Sequence, residues 1–174
     1  DQLPEKYRHP MAYFKPALGL VLLRENILGK DRFDYAFKKY IERWAFKHPA
    51  PDDFFRSMES ESGEDLGWFW KGWFTHNWQL DLAIHSVKYT AADPKEGIDV
   101  TVDNLQRMAM PFLLRATQQD GKEIDLQLPV ETWLQGSRHL VHLASNGPVT
   151  SVRIDPLNQL PDSHRENNIW KAPE

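Results

Sequence analysis

Residues 11–29 read MAYFKPALGLVLLRENILG, and this stretch decides how the first half of the chain folds. Pro16 suits the first turn of a helix, where the missing backbone N–H costs nothing and φ is already set. Apolar residues follow on nearly every side, so the pattern predicts a helix over about 14–28 that is buried all round. Gly29 is the expected left-handed residue at its end.

Tyr13 and Lys15 lie just before or within the first turn of this predicted helix. Their polar ends would then lie near unpaired N–H groups and the positive end of the helix dipole. A phenol held there can donate a hydrogen bond to a developing oxyanion. The residues alone favour a more ordinary interpretation, in which Tyr13 is a half-buried core residue and Lys15 is solvated, because tyrosine is commonly partly buried.

Length and composition exclude several classes of protein. The chain has 174 residues, enough for one ordinary domain or two small ones. Its formal net charge of −4 gives no electrostatic case for nucleic-acid binding. It has no cysteine, which excludes disulfides and thiolate metal sites. We find no signal peptide, and the longest apolar run, residues 17–23, is too short to cross a bilayer.

Three further helices are predicted after the first one. Asp31 suits the N-cap of the second helix. Asp52 or Asp53 is expected to cap a short third helix that ends near Gly63, and a fourth begins around Glu64. The large apolar residues at helical spacing are Phe33, Phe37, Tyr40, Ile41, Trp44, Phe54, Phe55, Met58, Leu66, Trp68, Phe69, Trp70, Trp73 and Phe74.

Trp68, Trp70 and Trp73 lie close together in the fourth predicted helix. Three such rings can form a stacking platform for sugars or bases. Aromatic side chains more often dominate cores and interfaces. We therefore expect these residues to wedge the helix against its neighbours and against the next domain.

From about residue 80 the apolar pattern changes from helical spacing to alternation, which predicts six or seven strands. Asp120-Gly121 and Asn146-Gly147 predict hairpin turns. Regular short strands with turn signals indicate a small antiparallel sandwich. The predicted strands lie near residues 82–89, 98–102, 110–114, 124–128, 140–143 and 149–154.

The predicted fold class is therefore α+β, with an all-α segment followed by a small antiparallel β-sandwich. We place the helical segment at residues 1–78 and the sandwich at 79–155. We expect residues 156–174 to form an extended tail, in which Trp170 is the only large anchor.

Tyr13, Phe14 and Lys15 before a buried helix resemble the Tyr-x-Lys-Gly motif of the zinc aminopeptidases, the gluzincin family of aminopeptidase N and leukotriene-A hydrolase. Two departures stand out: Pro16 replaces the usual glycine, and residues 77–79 replace the family's Gly-x-Pro. Later residues that keep the family's order are Leu28, Gly29, Phe33, Tyr40, Asp52, Asp53, Phe54, Met58, Glu59, Ser62, Gly63, Asp65, Leu66 and Trp73.

This resemblance implies that residues 1–78 are the last helices of a metallopeptidase catalytic domain. In that family the tyrosine stabilises the tetrahedral oxyanion during peptide hydrolysis, and Tyr13 is the matching position. Lys15 is implied as an orienting or substrate-binding neighbour. The family's zinc motif, His-Glu-x-x-His, lies upstream of the tyrosine and does not occur in this sequence. The resemblance thus implies a C-terminal part that is inactive alone and works with an upstream, zinc-bearing catalytic half on peptide substrates.

The sequence gives little support for other kinds of catalytic or metal-binding site. The seven histidines are dispersed, and the near pair His139 and His142 should point to opposite faces of a strand. There is no phosphate-cradling glycine loop and no Gly-x-Ser-x-Gly motif. Two alternatives to the peptidase stay open: a non-catalytic module that docks peptide or glycan, and a purely structural pair of domains.

Overall fold

A computed structural model describes residues 4–173. The chain divides into two compact units between Asn77 and Trp78. The first unit is built from helices, and the second contains two antiparallel sheets. The predicted α+β class, with a helical part followed by a small β-sandwich, is confirmed.

The first helix is longer than predicted. It runs without a break through α1 (Glu5–His9), the π-helical turn π1 (Pro10–Phe14), α2 (Lys15–Leu22) and a second π-helical turn, π2 (Leu23–Ile27). The predicted start near residue 14 is therefore wrong. A proline followed by glutamate is a helix-start signal, because the carboxylate favours the positive end of the dipole.

The turn π1 explains how the helix tolerates Pro16. The N–H of Lys15 donates to the carbonyl of Pro10, five residues back, instead of four. A proline inside an α-helix brings its ring against the carbonyl four residues earlier, here that of Ala12. The wider π turn directly before Pro16 relieves this crowding. Pro16 therefore lies inside the helix instead of in its first turn.

The prediction that this helix is buried all round is wrong. Gly19, Leu22 and Leu23 are buried, because one side of the helix packs on the rest of the unit. The other described helices of this unit leave the remaining apolar surface of the first helix uncovered. The large apolar side chains exposed along the helix are Tyr7, Met11, Tyr13, Phe14, Leu18 and Val21.

Three helical elements complete the first unit: α3 (Lys30–Trp44), α4 (Pro51–Ser62) and α5 (Gly67–Trp70), which continues into the π-helical turn π3 (Lys71–Thr75). Asp31 is not the N-cap of α3, because Gly29 takes that position with φ 80°.

The start of α4 is set by Pro51 in its first position and by Asp53, whose Oδ2 accepts from the N–H of Ala50 at 2.8 Å. Gly63 ends this helix in the left-handed conformation, as predicted. The helix after it begins at Gly67, three residues later than predicted around Glu64.

The second unit has two antiparallel sheets with the strand orders β1-β2-β5 and β4-β3-β6-β7. Alternate residues of the strands are buried, as in β3 where Phe112, Leu114 and Ala116 are inside. This alternation is what a two-sheet core requires. The strand bounds are β1 Leu82–Tyr89, β2 Ile98–Asn104, β3 Phe112–Gln118, β4 Glu123–Leu128, β5 Arg138–Leu143, β6 Val149–Ile154 and β7 Ile169–Lys171.

The two predicted hairpins have different outcomes. Asp120-Gly121 does join β3 to its neighbour β4, with the N–H of Gly121 donating to the carbonyl of Gln118 at 3.0 Å. The prediction for Asn146-Gly147 is wrong, because β5 pairs with β2 and β6 pairs with β3. The second turn therefore carries the chain from one sheet to the other.

The end of the chain contributes to the sheet and to the start of β1. Strand β7, which the alternation did not predict, pairs with β6. Asp162 Oδ2 accepts from the N–H of Leu82 at 2.8 Å. The buried carboxylate of Asp81 contacts Nδ1 of His164 and accepts from Nδ2 of Asn167, each at 2.8 Å. These contacts attach the last segment of the chain to the beginning of the β unit.

Candidate functional site

Tyr13 lies in the π-helical turn and is exposed to solvent, with 65% of its surface accessible. Its ring contacts the imidazole of His9, one turn earlier, at a centroid distance of 4.7 Å. Because the helix begins at Glu5, Tyr13 is not beside free N–H groups at a helix start. Its phenol instead projects from the side of the helix, where a hydroxyl can reach a group that approaches from outside.

Lys15 is turned away from Tyr13. Residues two positions apart on a helix lie roughly 200° apart around its axis and do not face each other. Lys15 is half-buried, and its Nζ lies 5.8 Å from the centroid of the Trp73 ring. Burial lowers the pKa of the Lys15 amine below its ordinary value of 10.5. The structure thus places Lys15 on the packed side of the helix and Tyr13 on the open side.

Trp73 holds this packed side in place. Its Nε1–H donates to the backbone carbonyl of Lys15 at 2.9 Å. Its indole lies directly over Gly19, where a Cβ would be 2.2 Å from the indole nitrogen. Only a glycine permits this approach. Gly19 was missed by the sequence analysis, although a glycine inside an apolar helix is a signal of close packing.

Two of the three clustered tryptophans are packing residues. Trp70 and Trp73 are buried, and the ring of Trp70 stacks on Phe55 with centroids 4.6 Å apart. Trp73 stacks in the same way on Phe69 at 6.2 Å. Because these ring faces are occupied, Trp70 and Trp73 offer no stacking platform.

Glu59 links this cluster to the backbone. Its Oε1 accepts from Nε1 of Trp70 at 3.1 Å and from the N–H of Leu66 at 3.3 Å. The glutamate therefore satisfies two donors beside the aromatic core. Glu59 is therefore a structural hydrogen-bond acceptor. Among residues 4–173 we observe no contact between Glu59 and Tyr13.

Residues 4–173 contain no group of three or more histidine, aspartate or glutamate side chains that could hold a metal ion. His139 and His142 lie on opposite faces of β5, as predicted, and His142 Nδ1 contacts Asp99 Oδ1 at 3.0 Å. In this same part of the chain, no helix combines the length and apolarity needed to cross a membrane.

The comparison with known proteins rests on structure. No protein-family model matches the sequence, and no curated protein matches it. The fold is similar to that in the crystal structure of Legionella pneumophila aminopeptidase A in complex with aspartic acid, with a TM-score of 0.64 and 20% identity. The match covers 87% of this chain and 17% of that one. The chain is thus similar in fold to a part of that protein.

Proposed function

We propose that this chain is the C-terminal part of a zinc-dependent aminopeptidase-like peptidase. The observation that carries this proposal is the exposed phenol of Tyr13, within a Tyr-x-Lys sequence, on an aminopeptidase-like fold. In this proposal the helices form one wall of the peptide-binding cleft. The β-sandwich is a rigid support, and the chain alone is inactive.

The role of Tyr13 follows from the chemistry of its hydroxyl. When water attacks a peptide carbonyl, the carbonyl oxygen becomes an oxyanion. A phenol O–H aimed at that oxygen donates a hydrogen bond that is stronger in the transition state than in the bound substrate. One such donor contributes about 100- to 1000-fold in turnover.

Zinc does not fit the residues of this chain. Among residues 4–173 no set of three suitable ligands converges, so these residues do not form a zinc site by themselves. The proposal therefore assigns the zinc ligands to another segment of the polypeptide that carries this chain.

The test is Tyr13→Phe in that longer polypeptide, assayed with an alanyl substrate. We expect kcat to fall about 100- to 1000-fold, with KM and zinc content unchanged, because only the transition-state donor is removed. Tyr7→Phe is the matched control, since Tyr7 is also exposed on the same helix. Unchanged turnover in Tyr13→Phe would exclude Tyr13 as the oxyanion donor.

The exposed apolar residues of the first helix favour one alternative, a non-catalytic module that docks a peptide or glycan partner. Zinc content and alanyl-substrate hydrolysis, measured on this chain and on the longer polypeptide, separate the two. Metal and activity in the longer polypeptide alone support the peptidase. Absence of both from each sample supports the docking module.

A further inference from the structure

We propose that Trp73 is a positioning residue for Tyr13, acting through the backbone of Lys15 and the missing side chain of Gly19. This inference rests on the proposed function and adds to it a residue that never contacts the substrate. The proposed role of Trp73 is to fix the position of the Tyr13 hydroxyl.

The indole of Trp73 contacts the first helix at two points. Nε1 of Trp73 donates to the Lys15 carbonyl at 2.9 Å, and the same ring covers Gly19 one turn later. A hydrogen bond fixes the rotation of the helix about its axis, and the close approach fixes its distance. Together the two contacts restrict this part of the helix to a single orientation relative to π3.

The contact with the Lys15 carbonyl lies close to Tyr13 along the helix. The anchored carbonyl belongs to the residue directly after the π-helical turn that carries Tyr13. The hydroxyl of Tyr13 lies much farther from the helix axis than the anchored carbonyl does, so a small rotation at Lys15 becomes a larger displacement at the phenol. A displacement of about 1 Å can lower turnover on the order of 100-fold when it misplaces a catalytic group.

Trp73 is itself held in place by its neighbours. It is buried, and its ring is stacked on Phe69, a fully buried side chain at the centre of the aromatic cluster. The anchor is therefore part of a rigid core, as the support of a functional group should be.

The first test uses the longer polypeptide and the variant Trp73→Phe, which keeps a ring and removes the N–H donor. We expect kcat per folded, zinc-loaded site to fall roughly 10- to 100-fold with KM unchanged. Trp68→Phe, on the same helix but only half-buried, is the matched control and should leave kcat unchanged.

The double variant Tyr13→Phe/Trp73→Phe distinguishes positioning from simple support. If Trp73 acts through Tyr13, the double variant should be no slower than Tyr13→Phe alone, because the group being aimed is already gone. Losses that multiply would overturn the proposal and leave Trp73 as an ordinary core residue.

The second test uses the 174-residue chain itself and does not depend on activity. Gly19→Ala should push the indole off the helix and expose the Lys15 amine to water, so that the pKa of Lys15 rises toward its ordinary value in an NMR titration. Gly67→Ala is the control, since a Cβ there meets only a carboxylate oxygen of Asp65 at 3.2 Å. An unchanged titration in folded Gly19→Ala would overturn the proposed anchor.

Failure of the proposed function and failure of the role of Trp73 give different results. If Tyr13→Phe leaves turnover unchanged, the proposed function is wrong. The positioning role of Trp73 is then wrong as well, whatever the titration of Lys15 shows. If Tyr13→Phe is slow but Trp73→Phe is as fast as the unmodified protein, the proposed function stands and only the role of Trp73 is wrong.

Discussion

The helical unit and the β unit bury their apolar residues in different ways. In the β unit two sheets enclose a core of mostly aliphatic side chains between them, and the exposed large apolar residues are scattered. In the helical unit the core combines aromatic with aliphatic side chains, and six of the exposed large apolar residues lie along the first helix. The exposed large apolar residues of the β unit are Leu105, Leu134, Leu140, Leu157 and Ile169. Those of the first helix are Tyr7, Met11, Tyr13, Phe14, Leu18 and Val21.

The difference follows from geometry. Two sheets that face each other bury one side of every strand in a single closed layer. A helix has apolar residues around its whole circumference here, but its neighbours cover only the side with Gly19, Leu22 and Leu23. The open side of the first helix, which carries Tyr13, is therefore an exposed apolar surface, and surfaces of this kind are typical of sites that contact another molecule or another segment of chain.

The largest expected effect is the loss of stability when the aromatic cluster around Phe69 loses its central ring. Phe69 is fully buried and contacts Trp70, Trp73 and Phe74. Phe69→Ala should lower the free energy of unfolding by about 3–5 kcal/mol, because it removes a buried ring and leaves a cavity. Urea unfolding followed by tryptophan fluorescence measures this change.

Phe14→Ala is the matched control for that experiment, since it removes the same ring from the exposed side of the first helix. It should change the free energy of unfolding by no more than about 0.5 kcal/mol. Equal losses in both variants would show that the open side of the first helix is packed in solution, and the contrast between this side and the buried core would be lost.

The β unit was the easier of the two to predict from sequence. Alternation alone placed six strands, because a strand that is buried on one side needs an apolar residue at every second position. What alternation cannot determine is which strands pair. Asn146-Gly147 has the composition of a hairpin turn, yet the sheet assignment of β5 and β6 depends on contacts with β2 and β3, far away in sequence.

The helical unit was harder to predict, for reasons that particular residues illustrate. Pro16 was expected to mark a helix start, but the π-helical turn before it lets the helix run through. The contact between Trp73 and Lys15 joins residues 58 positions apart, so no local pattern contains it. The Tyr-x-Lys sequence identified Tyr13 as a candidate, and its exposure is known only from the fold.

The second expected effect concerns association through the open side of the first helix. We expect the 174-residue chain to self-associate at high concentration in sizing chromatography, because exposed Leu18 and Val21 can be buried between copies. Leu18→Glu should weaken this association on the order of 10- to 100-fold, since burial of one such side chain contributes about 1.5–3 kcal/mol.

Leu134→Glu is the control for association, because Leu134 is even more exposed but lies singly in the β unit. It should leave the elution profile unchanged. A chain that elutes as a 20.3 kDa monomer at every concentration would contradict the prediction that the open side of the first helix mediates self-association.

The smallest expected effect is on the pH dependence of stability, and it compares one ion pair from each unit. Asp103 in the β unit and Asp34 in the helical unit each accept two hydrogen bonds of 2.7 Å from one guanidinium, that of Arg138 and that of Arg24. In both pairs the hydrogen bonds from arginine lower the pKa of the carboxyl below its ordinary 3.8. The Asp103 carboxyl is nearly buried, whereas 54% of the Asp34 side chain is exposed.

A carboxyl whose pKa is lower in the folded state stabilises the protein above the unfolded value of 3.8, and this contribution is lost as the pH falls through the folded value. Urea unfolding between roughly pH 5 and pH 2 should therefore show a shallower loss of stability in Asp103→Asn than in the unmodified chain. Asp34→Asn should change that slope less, because solvent screens the exposed pair. Equal changes in the two variants would show that burial does not distinguish the ion pairs of the two units.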